Sequence, residues 1–590
     1  MNSAYHRQKK LAAVLLSILI AFAFTLSGCG EKSEESISAD VSQGVAGVEY
    51  YHYDTSDFND MCDELEELAA GDDADAVIDL YDKLYSECEK LETLYSVIYV
   101  MYSTDVTNDE YSKEQLYTFD AMQTCGDRLC EICRRITEGP CASAFAAHVG
   151  EEAFDSFAAY NVMTDEEKDL MNEEKKLVDD YYNILDDAEK ATYSYGGKDW
   201  TMDQIAGEEG MELSATDYDG YMEIYDGLLK ITNDKAGPIF LKLVQIRTRL
   251  AKIEGYDNYA LYADREEYCR DYSEEEVNQL HKDVKKIGKK YFDSYYTSAF
   301  NDLTPLPKMS EADLMKNLQM CSDGISDLAS ASAQQMTSDK LISIGDESCR
   351  QDGAFTTYVQ KTGKPFISMT LDGERDFIVL SHEFGHFVEY GNETRGNILT
   401  DMDNLDLAEV ASNGFEGLAT RFYKDIFKGK AEKAENAAIG ELLENVIDGC
   451  AEDEFQREVY ENPDMSLDEM NQRFSEIYAE YNPWMEGDPG YSWVFVSHNF
   501  ESPMYYISYT VSALAALQIW NQSSTDFDKA AATWEKFIKE GTYNKTYLDV
   551  VDKCGLIKFT EKGAVNKICS PALEVIDSSV NMDFDYDFEN

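Results

Sequence analysis

Residues 382–386 read HEFGH, in the middle of an otherwise apolar stretch, and this motif governs the interpretation of the whole chain. On an α-helix, side chains four positions apart project from the same face, so His382 and His386 can bind one zinc ion together. Glu383 can then act as the general base that takes a proton from a water on the metal. A buried histidine needs a partner, so the apolar flanks favour a zinc site over a solvated helix face. Gly385 predicts that another element crosses this helix closely.

A catalytic zinc site needs a third protein ligand and one open position. The candidate lies in residues 405–416, where Glu409 sits among small and apolar residues and an unpaired carboxylate is costly. Glu416 follows seven residues later on the same helical face. It is placed to hydrogen-bond a ligand histidine from behind, although an ordinary surface glutamate is the alternative.

The spacing of these motifs carries a family resemblance. HEFGH is followed after 22 residues by Glu-Val-Ala-Ser at 409–412. This arrangement resembles the thimet oligopeptidase and oligoendopeptidase F family of zinc metallopeptidases, in which the glutamate of such a segment is the third ligand. The resemblance selects Glu409 over Asp403, Asp406 or Glu416, and it implies one zinc ion per chain.

Further segments between residues 240 and 520 extend the resemblance. Residues 255–263 read GYDNYALYA and, with Arg265, look like the helix that enters the catalytic region of oligoendopeptidase F. Residues 350–355 and 365–369 resemble the turn and edge strand just upstream of its zinc helix.

Residues 497–509 read SHNFESPMYYISY and resemble the substrate-binding helix of the same family, although the interval from histidine to proline is one residue longer. Attack on a peptide carbonyl builds an oxyanion, which tyrosine hydroxyls and histidine N–H groups can stabilise. We expect Tyr509 to act in the transition state and His498 to hold the substrate carbonyl. Tyr505 and Tyr506 stay open as alternatives, and so does a tyrosine-rich helix that only packs in the core.

The N-terminus predicts export. Residues 1–10 carry three basic and no acidic side chains, and residues 11–26 are apolar, as in a secretory signal. Residues 26–29 read LSGC and resemble the lipobox of bacterial lipoproteins. Cleavage would leave Cys29 as a lipidated N-terminus, whose acyl chains, palmitate among them, anchor the protein on the extracytoplasmic face of the bacterial cell membrane. The alternative is a plain secretory signal with an incidental cysteine.

The periodicity of apolar residues predicts a mostly α fold, with residues 366–370 as the best strand signal. The resemblance implies two helical lobes that flank a deep central channel, with a small β-sheet near the zinc helix. The predicted organisation is a signal peptide at 1–28, a flexible tether at 29–48, an N-terminal helical lobe at 49–240, the catalytic region at 241–575 and an acidic tail at 576–590.

The net charge of −64 excludes nonspecific binding to nucleic acid, because phosphate contacts need lysine and arginine. The same charge should repel acidic peptides and attract cationic ones. Twelve cysteines follow Cys29 at irregular intervals, which does not indicate a disulfide framework. Cys125, Cys130 and Cys133 are interpreted as buried helix residues rather than a second metal site.

Three functions are compatible with these features. The first is a zinc-dependent endopeptidase that cuts internal bonds of short unfolded oligopeptides outside the membrane. The second is a related helical zinc carboxypeptidase, in which Arg350 would hold the terminal carboxylate of the substrate. The third is a catalytically silent lipoprotein that captures peptides, but a binder would have no need for the intact Glu383.

Overall fold

The computed structural model describes residues 38–188, 190–299, 305–393, 395–541 and 543–580. The predicted signal peptide, the lipidation site Cys29 and residues 29–37 of the tether lie outside these ranges, as do residues 581–590 of the acidic tail. The N-terminal helices are α1 (Ser56–Ala69), α2 (Ala74–Thr104), α3 (Asp109–Glu138), α4 (Ala142–Val149), α5 (Glu151–Ala158) and α6 (Asp165–Ala188). Helices α1 to α5 share an apolar core of their own, into which Leu399 of a distant loop inserts.

A short hairpin and a series of longer helices follow. These elements are β1 (Tyr193–Tyr195), β2 (Lys198–Trp200), α7 (Met202–Ala206), α8 (Glu208–Thr216), α9 (Tyr218–Ile253), α10 (Tyr259–Tyr262), α11 (Glu274–Ala299), α12 (Glu311–Ile325) and α13 (Asp327–Ser338). Helix α10 continues into a single π-helical turn, Ala263–Glu267. Such turns are rare and occur frequently at functional sites.

The C-terminal half begins with three strands and continues with helices. These elements are β3 (Ile342–Gly345), β4 (Ala354–Val359), β5 (Lys364–Thr370), α14 (Asp376–Asn392), α15 (Leu405–Ala408), α16 (Val410–Ala419), α17 (Tyr423–Ile426), α18 (Ala431–Glu461), α19 (Leu467–Tyr481), α20 (Ser497–Glu501), α21 (Tyr506–Thr525), α22 (Phe527–Glu540), α23 (Tyr547–Lys553) and α24 (Ala564–Val580). One large apolar core joins most of these elements to α6 and α9.

Many helices begin at residue types that favour N-caps. The side chains of Asp73, Asn108 and Ser310 accept hydrogen bonds from backbone N–H groups in the first turn of their helices. Ser466 and Glu469 form a reciprocal capping box at the start of α19. These local signals fix where the long helices start, and their apolar faces then fix how they pack.

The three-stranded sheet has the order β3-β5-β4, and it packs beside α14. Strand β5 pairs with β3 in parallel and with β4 antiparallel, with Thr356 opposite Ile367. The predicted edge strand at 365–369 is therefore wrong in one respect, because β5 is central and β3 and β4 are the edge strands. The five buried residues in a row in β5 are typical of a strand covered on both faces.

The predicted fold class is confirmed: the described chain is mostly α, with a small sheet beside the helix that carries HEFGH. The predicted domain boundaries stay a prediction, although the N-terminal core ends with α5. Among the described residues, no helix is long and apolar enough to cross a membrane.

Candidate active site

His382, His386 and Glu409 come together as the sequence suggested they could. One possible ligand atom of each lies within 4.8 Å of the others. Oε2 of Glu409 lies 3.1 Å from Nε2 of His382 and 3.3 Å from Nε2 of His386. His386 and Glu409 are buried, whereas the His382 side chain keeps 26% of its surface exposed. The three possible ligand atoms therefore face one point, and solvent reaches that point on the side of His382.

The histidines are held against the carboxylate by a close crossing of α14 and α16. A Cβ atom added to Gly385 would lie 2.4 Å from the Cα of Ser412 and 2.6 Å from the carbonyl oxygen of Ala411. Only glycine leaves room for this approach, as predicted from the motif. The crossing brings the backbone of α16 within reach of the ligand-bearing face of α14.

Glu409 itself sits at the break between α15 and α16, with φ −92° and ψ 2°. The hydroxyl of Ser412 donates to Oε2 of Glu409 at 3.0 Å and to its carbonyl oxygen at 3.1 Å. The interrupted helix turns the carboxylate toward the two histidines, and Ser412 fixes its rotamer.

The electrostatics of this cluster favour a positive charge beside Glu409. Burial alone would raise the pKa of Glu409, but His386 and His382 outweigh it and hold that pKa well below the usual range. Burial lowers the pKa of His386, yet the charge of Glu409 and the contact with Glu389 raise it to about 9. Protonated imidazoles and an ionised Glu409 carboxylate thus stabilise one another.

Two further carboxylates approach the other ring nitrogens. Oε2 of Glu416 lies 3.7 Å from Nδ1 of His382, and Oε2 of Glu389 lies 3.8 Å from Nδ1 of His386. Glu416 approaches His382 at the ring nitrogen opposite the one that faces Glu409. Glu389 was missed, although it shares the helix with His386 three residues away.

Glu383 is buried and faces the edge strand. The hydroxyl of Thr356 donates to Oε2 of Glu383 at 2.7 Å and to its carbonyl oxygen at 2.9 Å. Thr356 was not identified from the sequence, since its segment suggested a turn rather than a strand. The alternation of side chains in a strand at 354–359 would have been the signal that places it on one face with Ala354 and Tyr358.

His498, Tyr505 and Tyr509 form a second group of contacts. The Tyr509 hydroxyl lies 3.4 Å from Nε2 of His498, and the rings of Tyr505 and His498 stack at 5.3 Å. Burial lowers the pKa of His498 to about 4, so its imidazole is neutral at physiological pH. Burial first, and then nearby negative charge that includes Glu409, raises the pKa of both tyrosines. The negative charge of Glu409 therefore acts on the hydroxyls of both Tyr505 and Tyr509.

Tyr506 also packs against this group, with its ring 5.2 Å from that of His498 and 5.5 Å from that of Tyr509. Burial first, and then the charges of Glu452 and Asp448, raise its pKa. Residues 505 and 509 are one helical turn apart, whereas 506 is rotated by about 100° from 505. All three tyrosine rings therefore contact His498, and Tyr506 differs from the other two in the carboxylates that raise its pKa.

Helix α18 carries a row of carboxylates, Glu441, Glu444, Asp448 and Glu452, here called the acidic stripe. At Gly449 this helix crosses α21, where a Cβ atom would lie 2.7 Å from the carbonyl oxygen of Tyr506. Burial and the charge of Glu444 raise the pKa of Asp448 to about 7. Within the part of the chain that the structure describes, Asp448 makes no ion pair or hydrogen bond.

Arg350 was proposed above to hold the carboxylate of a substrate, but its guanidinium binds other groups in the structure. Its Nη2 donates to the backbone oxygens of Ser343 and Met369, and its side chain is largely buried at the end of the sheet. The carboxypeptidase alternative thereby loses the basic group that it required. Cys125, Cys130 and Cys133 are buried in α3, and no disulfide bond joins any cysteine among the described residues.

Comparison with known proteins agrees with this architecture. Residues 48–162 match the Peptidase M3 N-terminal domain, whereas no curated protein matches the sequence. PZ peptidase A, solved with an inhibitor, is 21% identical with a TM-score of 0.73, over 90% of this chain and 99% of that chain. A Bacillus anthracis protein assigned as an oligoendopeptidase F is 20% identical with a TM-score of 0.71, over 91% and 99% of the two chains. Oligoendopeptidase-F from Enterococcus faecium is 13% identical with a TM-score of 0.55, over 90% and 99%.

The helical fold and the His–His–Glu cluster define the class of helical metallopeptidases. The matched N-terminal domain and the shared fold confirm the resemblance found in the sequence. Both findings support a peptidase of the M3 oligoendopeptidase kind.

Proposed function

We propose that the protein is a zinc-dependent endopeptidase that hydrolyses internal bonds of short, unfolded oligopeptides. The observation that carries this proposal is the convergence of His382, His386 and Glu409 within 4.8 Å of one another, next to Glu383. Two imidazoles and one carboxylate are a ligand set of catalytic zinc sites in peptidases. One such cluster exists among the described residues, which supports one zinc ion per chain.

The residues fit a metal ion by an independent criterion. Nε2 of His386 and Oε1 of Glu409 are buried without a hydrogen-bond partner. A buried polar atom left unpaired costs roughly 1–3 kcal/mol, and a cation held between the two residues would satisfy both atoms. His386 and Glu409 would bind the ion from the buried side and His382 from the exposed side.

A bound zinc ion supplies Lewis-acid chemistry, which lowers the pKa of water and polarises a carbonyl group. Glu383 accepts the proton of the attacking water at its carboxylate and passes it to the leaving amine nitrogen. Thr356 holds Oε2 of Glu383 in one orientation through a 2.7 Å hydrogen bond. This bond leaves the other carboxylate oxygen of Glu383 to exchange the proton.

The histidine and the tyrosines stabilise the negative charge that develops on the carbonyl oxygen. A neutral His498 donates one N–H and stays uncharged, because burial holds its pKa at about 4. Tyr509 is the favoured donor in the transition state, and Tyr505 lies beside it with ring centroids 4.9 Å apart. Donors fixed in advance by packing require no reorganisation during the reaction.

A preference for cationic peptides follows from the charges around the site. The chain carries a net charge of −64, which draws cationic peptides at low ionic strength. In the acidic stripe, burial and neighbouring carboxylates raise the pKa of Glu452 to about 8 and that of Asp448 to about 7. In the negative field of the chain a lysine or arginine side chain of a substrate would be attracted and an acidic side chain repelled.

The sequence of the N-terminus supports a location outside the cell. The basic residues before position 11, the apolar segment and the LSGC tetrapeptide at 26–29 are the features of a lipoprotein signal. We propose that Cys29 carries the lipid anchor and that the peptidase works on the extracytoplasmic face of the membrane. Mass spectrometry of the mature N-terminus tests this: a lipidated Cys29 supports the proposal, and an unprocessed Met1 contradicts it.

One experiment separates the proposed peptidase from the alternatives. A ten-residue peptide, blocked at both ends and carrying internal lysines, is incubated with the purified chain, and the products are mapped by mass spectrometry. We expect internal cleavage that stops after chelation and returns with zinc, with one metal ion per chain by elemental analysis. A carboxypeptidase would leave the blocked peptide intact, and a pure binder would cut no peptide at all.

The matched control is a peptide with glutamate in place of each lysine. We expect a lower kcat/KM for this peptide, with a difference that shrinks as salt is added. Equal rates for both peptides at low salt would refute the cationic preference without affecting the assignment as an endopeptidase.

A further inference from the structure

The helix with Tyr505 and Tyr509 is entered through a turn of uncommon backbone conformation. Met504 has φ of +68°, in the left-handed region that residues with a side chain rarely adopt. Such a conformation persists only where the surrounding structure over-determines it, and it is found preferentially at functional sites. Because α21 begins directly after this turn, the turn sets the direction in which both tyrosines point.

Three side chains from other elements hold the turn. Oε1 of Gln456 accepts from the N–H of Met504 at 2.7 Å. The hydroxyl of Tyr268 donates to the carbonyl oxygen of Pro503 at 2.9 Å. Nη2 of Arg270 donates to the carbonyl oxygen of Met504 at 2.7 Å. The backbone groups on both sides of the uncommon φ angle are thus fixed from outside the turn.

Arg270 also reaches the segment that carries the third metal ligand. Its Nη2 donates to the hydroxyl of Ser508 at 3.2 Å, and its Nε to Oδ1 of Asp406 at 3.4 Å. The Ser508 hydroxyl donates to the same oxygen of Asp406 at 2.6 Å. Asp406 belongs to α15, which ends one residue before Glu409, and Ser508 directly precedes Tyr509. One guanidinium therefore connects the Glu409 segment to the tyrosine helix.

We infer that Arg270 is a positioning residue for the reaction, which fixes the donors Tyr505 and Tyr509 relative to the metal ligand Glu409. Within the described structure it makes no hydrogen bond to His382, His386 or Glu409, so it acts through Met504 and its other partners. The inference rests on the proposed function, because a distance between the ligand and the hydroxyls matters only if both act on one carbonyl group.

The chemistry of arginine suits this role. The planar guanidinium donates to acceptors in three directions, and its third direction is taken by Oδ1 of Asp264 at 2.7 Å. The Arg270 side chain is 0% exposed and lies 4.3 Å over the ring of Tyr268. A lysine would keep the charge but could not span the same acceptors, because its donors radiate from one nitrogen.

Arg457 provides a matched control. It is also buried, and it donates to both carboxylate oxygens of the same Asp264, at 2.7 and 2.9 Å. Its Nε donates to Asp453 at 2.7 Å, and it makes no hydrogen bond to the turn before α21 or to α15 in the described structure. Arg270→Lys and Arg457→Lys therefore weaken one shared buried network, but only the first reaches the tyrosine helix.

The test compares these variants with the parent on a blocked ten-residue peptide, and also measures inhibition by a blocked phosphinic peptide. The tetrahedral phosphorus of that inhibitor mimics the transition state. We expect Arg270→Lys to lower kcat by on the order of 10–100-fold with KM within about 2-fold, as for a small misplacement of catalytic groups. Inhibitor binding should weaken by the same factor while zinc content stays at the parental value. Arg457→Lys should lose comparable resistance to urea yet keep kcat within about 3-fold of the parent.

Equal losses of kcat in the two lysine variants would overturn the inference, since the effect would then be general destabilisation. If Arg270→Lys does not fold, Ser508→Ala decides the question. It removes the hydroxyl that Arg270 shares with Asp406, and unchanged kcat and inhibitor affinity in this variant would equally overturn the inference. Failure of the parent itself to cut the peptide would instead refute the proposed function.

Discussion

The Thr356 hydroxyl lies 2.7 Å from Oε2 of Glu383 and donates a hydrogen bond to it, which links the edge strand β4 to α14 across 27 residues. The same hydroxyl is 2.9 Å from the carbonyl oxygen of Glu383, so both the side chain and the backbone of that residue are fixed. The proposed general base is therefore oriented by the sheet as well as by its own helix.

Removal of the Thr356 hydroxyl should reduce turnover without loss of metal. A hydrogen bond to a charged group contributes about 1.5–3 kcal/mol, so we expect Thr356→Val to lower kcat roughly 10–100-fold. Metal content and KM should stay near the parental values. The control is Thr357→Val, because this buried threonine is adjacent on the strand and points to its other face. Equal losses in the two variants would mean that damage to the strand, and not the bond to Glu383, lowers the rate.

The general base can be tested by an isosteric change. Glu383→Gln keeps the shape of the side chain but cannot accept a proton, so turnover should fall by roughly 10²–10⁴-fold. Zinc content should not change, because Glu383 is not one of the three clustered ligands. Steady-state kinetics and elemental analysis check both points, with the exposed Glu432→Gln as the control. A variant that turns over at the parental rate would disprove this role.

Removal of the third ligand should abolish both metal binding and hydrolysis. In Glu409→Ala the two histidines keep no carboxylate between them, and zinc should be lost on dialysis. Glu416→Gln should bind zinc more weakly by roughly 10–100-fold, as expected for a residue that orients a ligand. Competition with a chromogenic chelator measures both affinities. Full metal and activity in Glu409→Ala would show that the ligand assignment is wrong.

The tyrosines should differ in their effect on turnover. Tyr509→Phe removes a donor used mainly in the transition state, so kcat should fall by on the order of 10²–10³-fold while KM stays nearly constant. Tyr506→Phe should behave like the parent, because the carboxylates that raise its pKa are Glu452 and Asp448. If Tyr505→Phe loses more kcat than Tyr509→Phe, then Tyr505 and not Tyr509 is the donor in the transition state. If none of the three variants loses kcat, the tyrosines of this helix only pack in the core.

The acidic stripe should make stability depend on pH. The folded chain keeps Asp448 protonated up to about pH 7, whereas the unfolded chain ionises it near the ordinary pKa of 3.8. The folded form therefore binds the extra proton, and its stability falls as pH rises through this interval. Asp448→Asn should be more stable than the parent at pH 8 by on the order of 1 kcal/mol and equal to it near pH 4.

Urea unfolding at pH 4, 6 and 8 measures this difference. Asp528→Asn, an exposed change on α22, is the control and should leave the pH dependence of the parent unchanged. If Asp448→Asn shows the parental pH dependence, the carboxylate is ionised in the folded chain and the acidic stripe does not hold a proton.

The parts of the site that follow from helical geometry could be predicted from the sequence. His382 and His386 share a face because four residues nearly complete a turn, and Tyr505 and Tyr509 share one for the same reason. Because glycine has no Cβ atom, Gly385 predicted that another element crosses α14 closely, and that element is α16. Glu409 was selected by family resemblance, and no local rule would have preferred it over Asp406.

The tertiary structure decided the contacts between residues far apart in the chain. Arg270 meets Met504 across 234 positions, and Tyr272 meets Asp406 across 134. It also made β3 and β4 rather than β5 the edge strands, and it committed Arg350 to backbone carbonyls. Side-chain periodicity is a property of neighbouring residues, so the sequence by itself determined which groups share a helical face. Which faces meet depends on how the apolar surfaces of all the helices pack together, and that packing exists only in the folded chain.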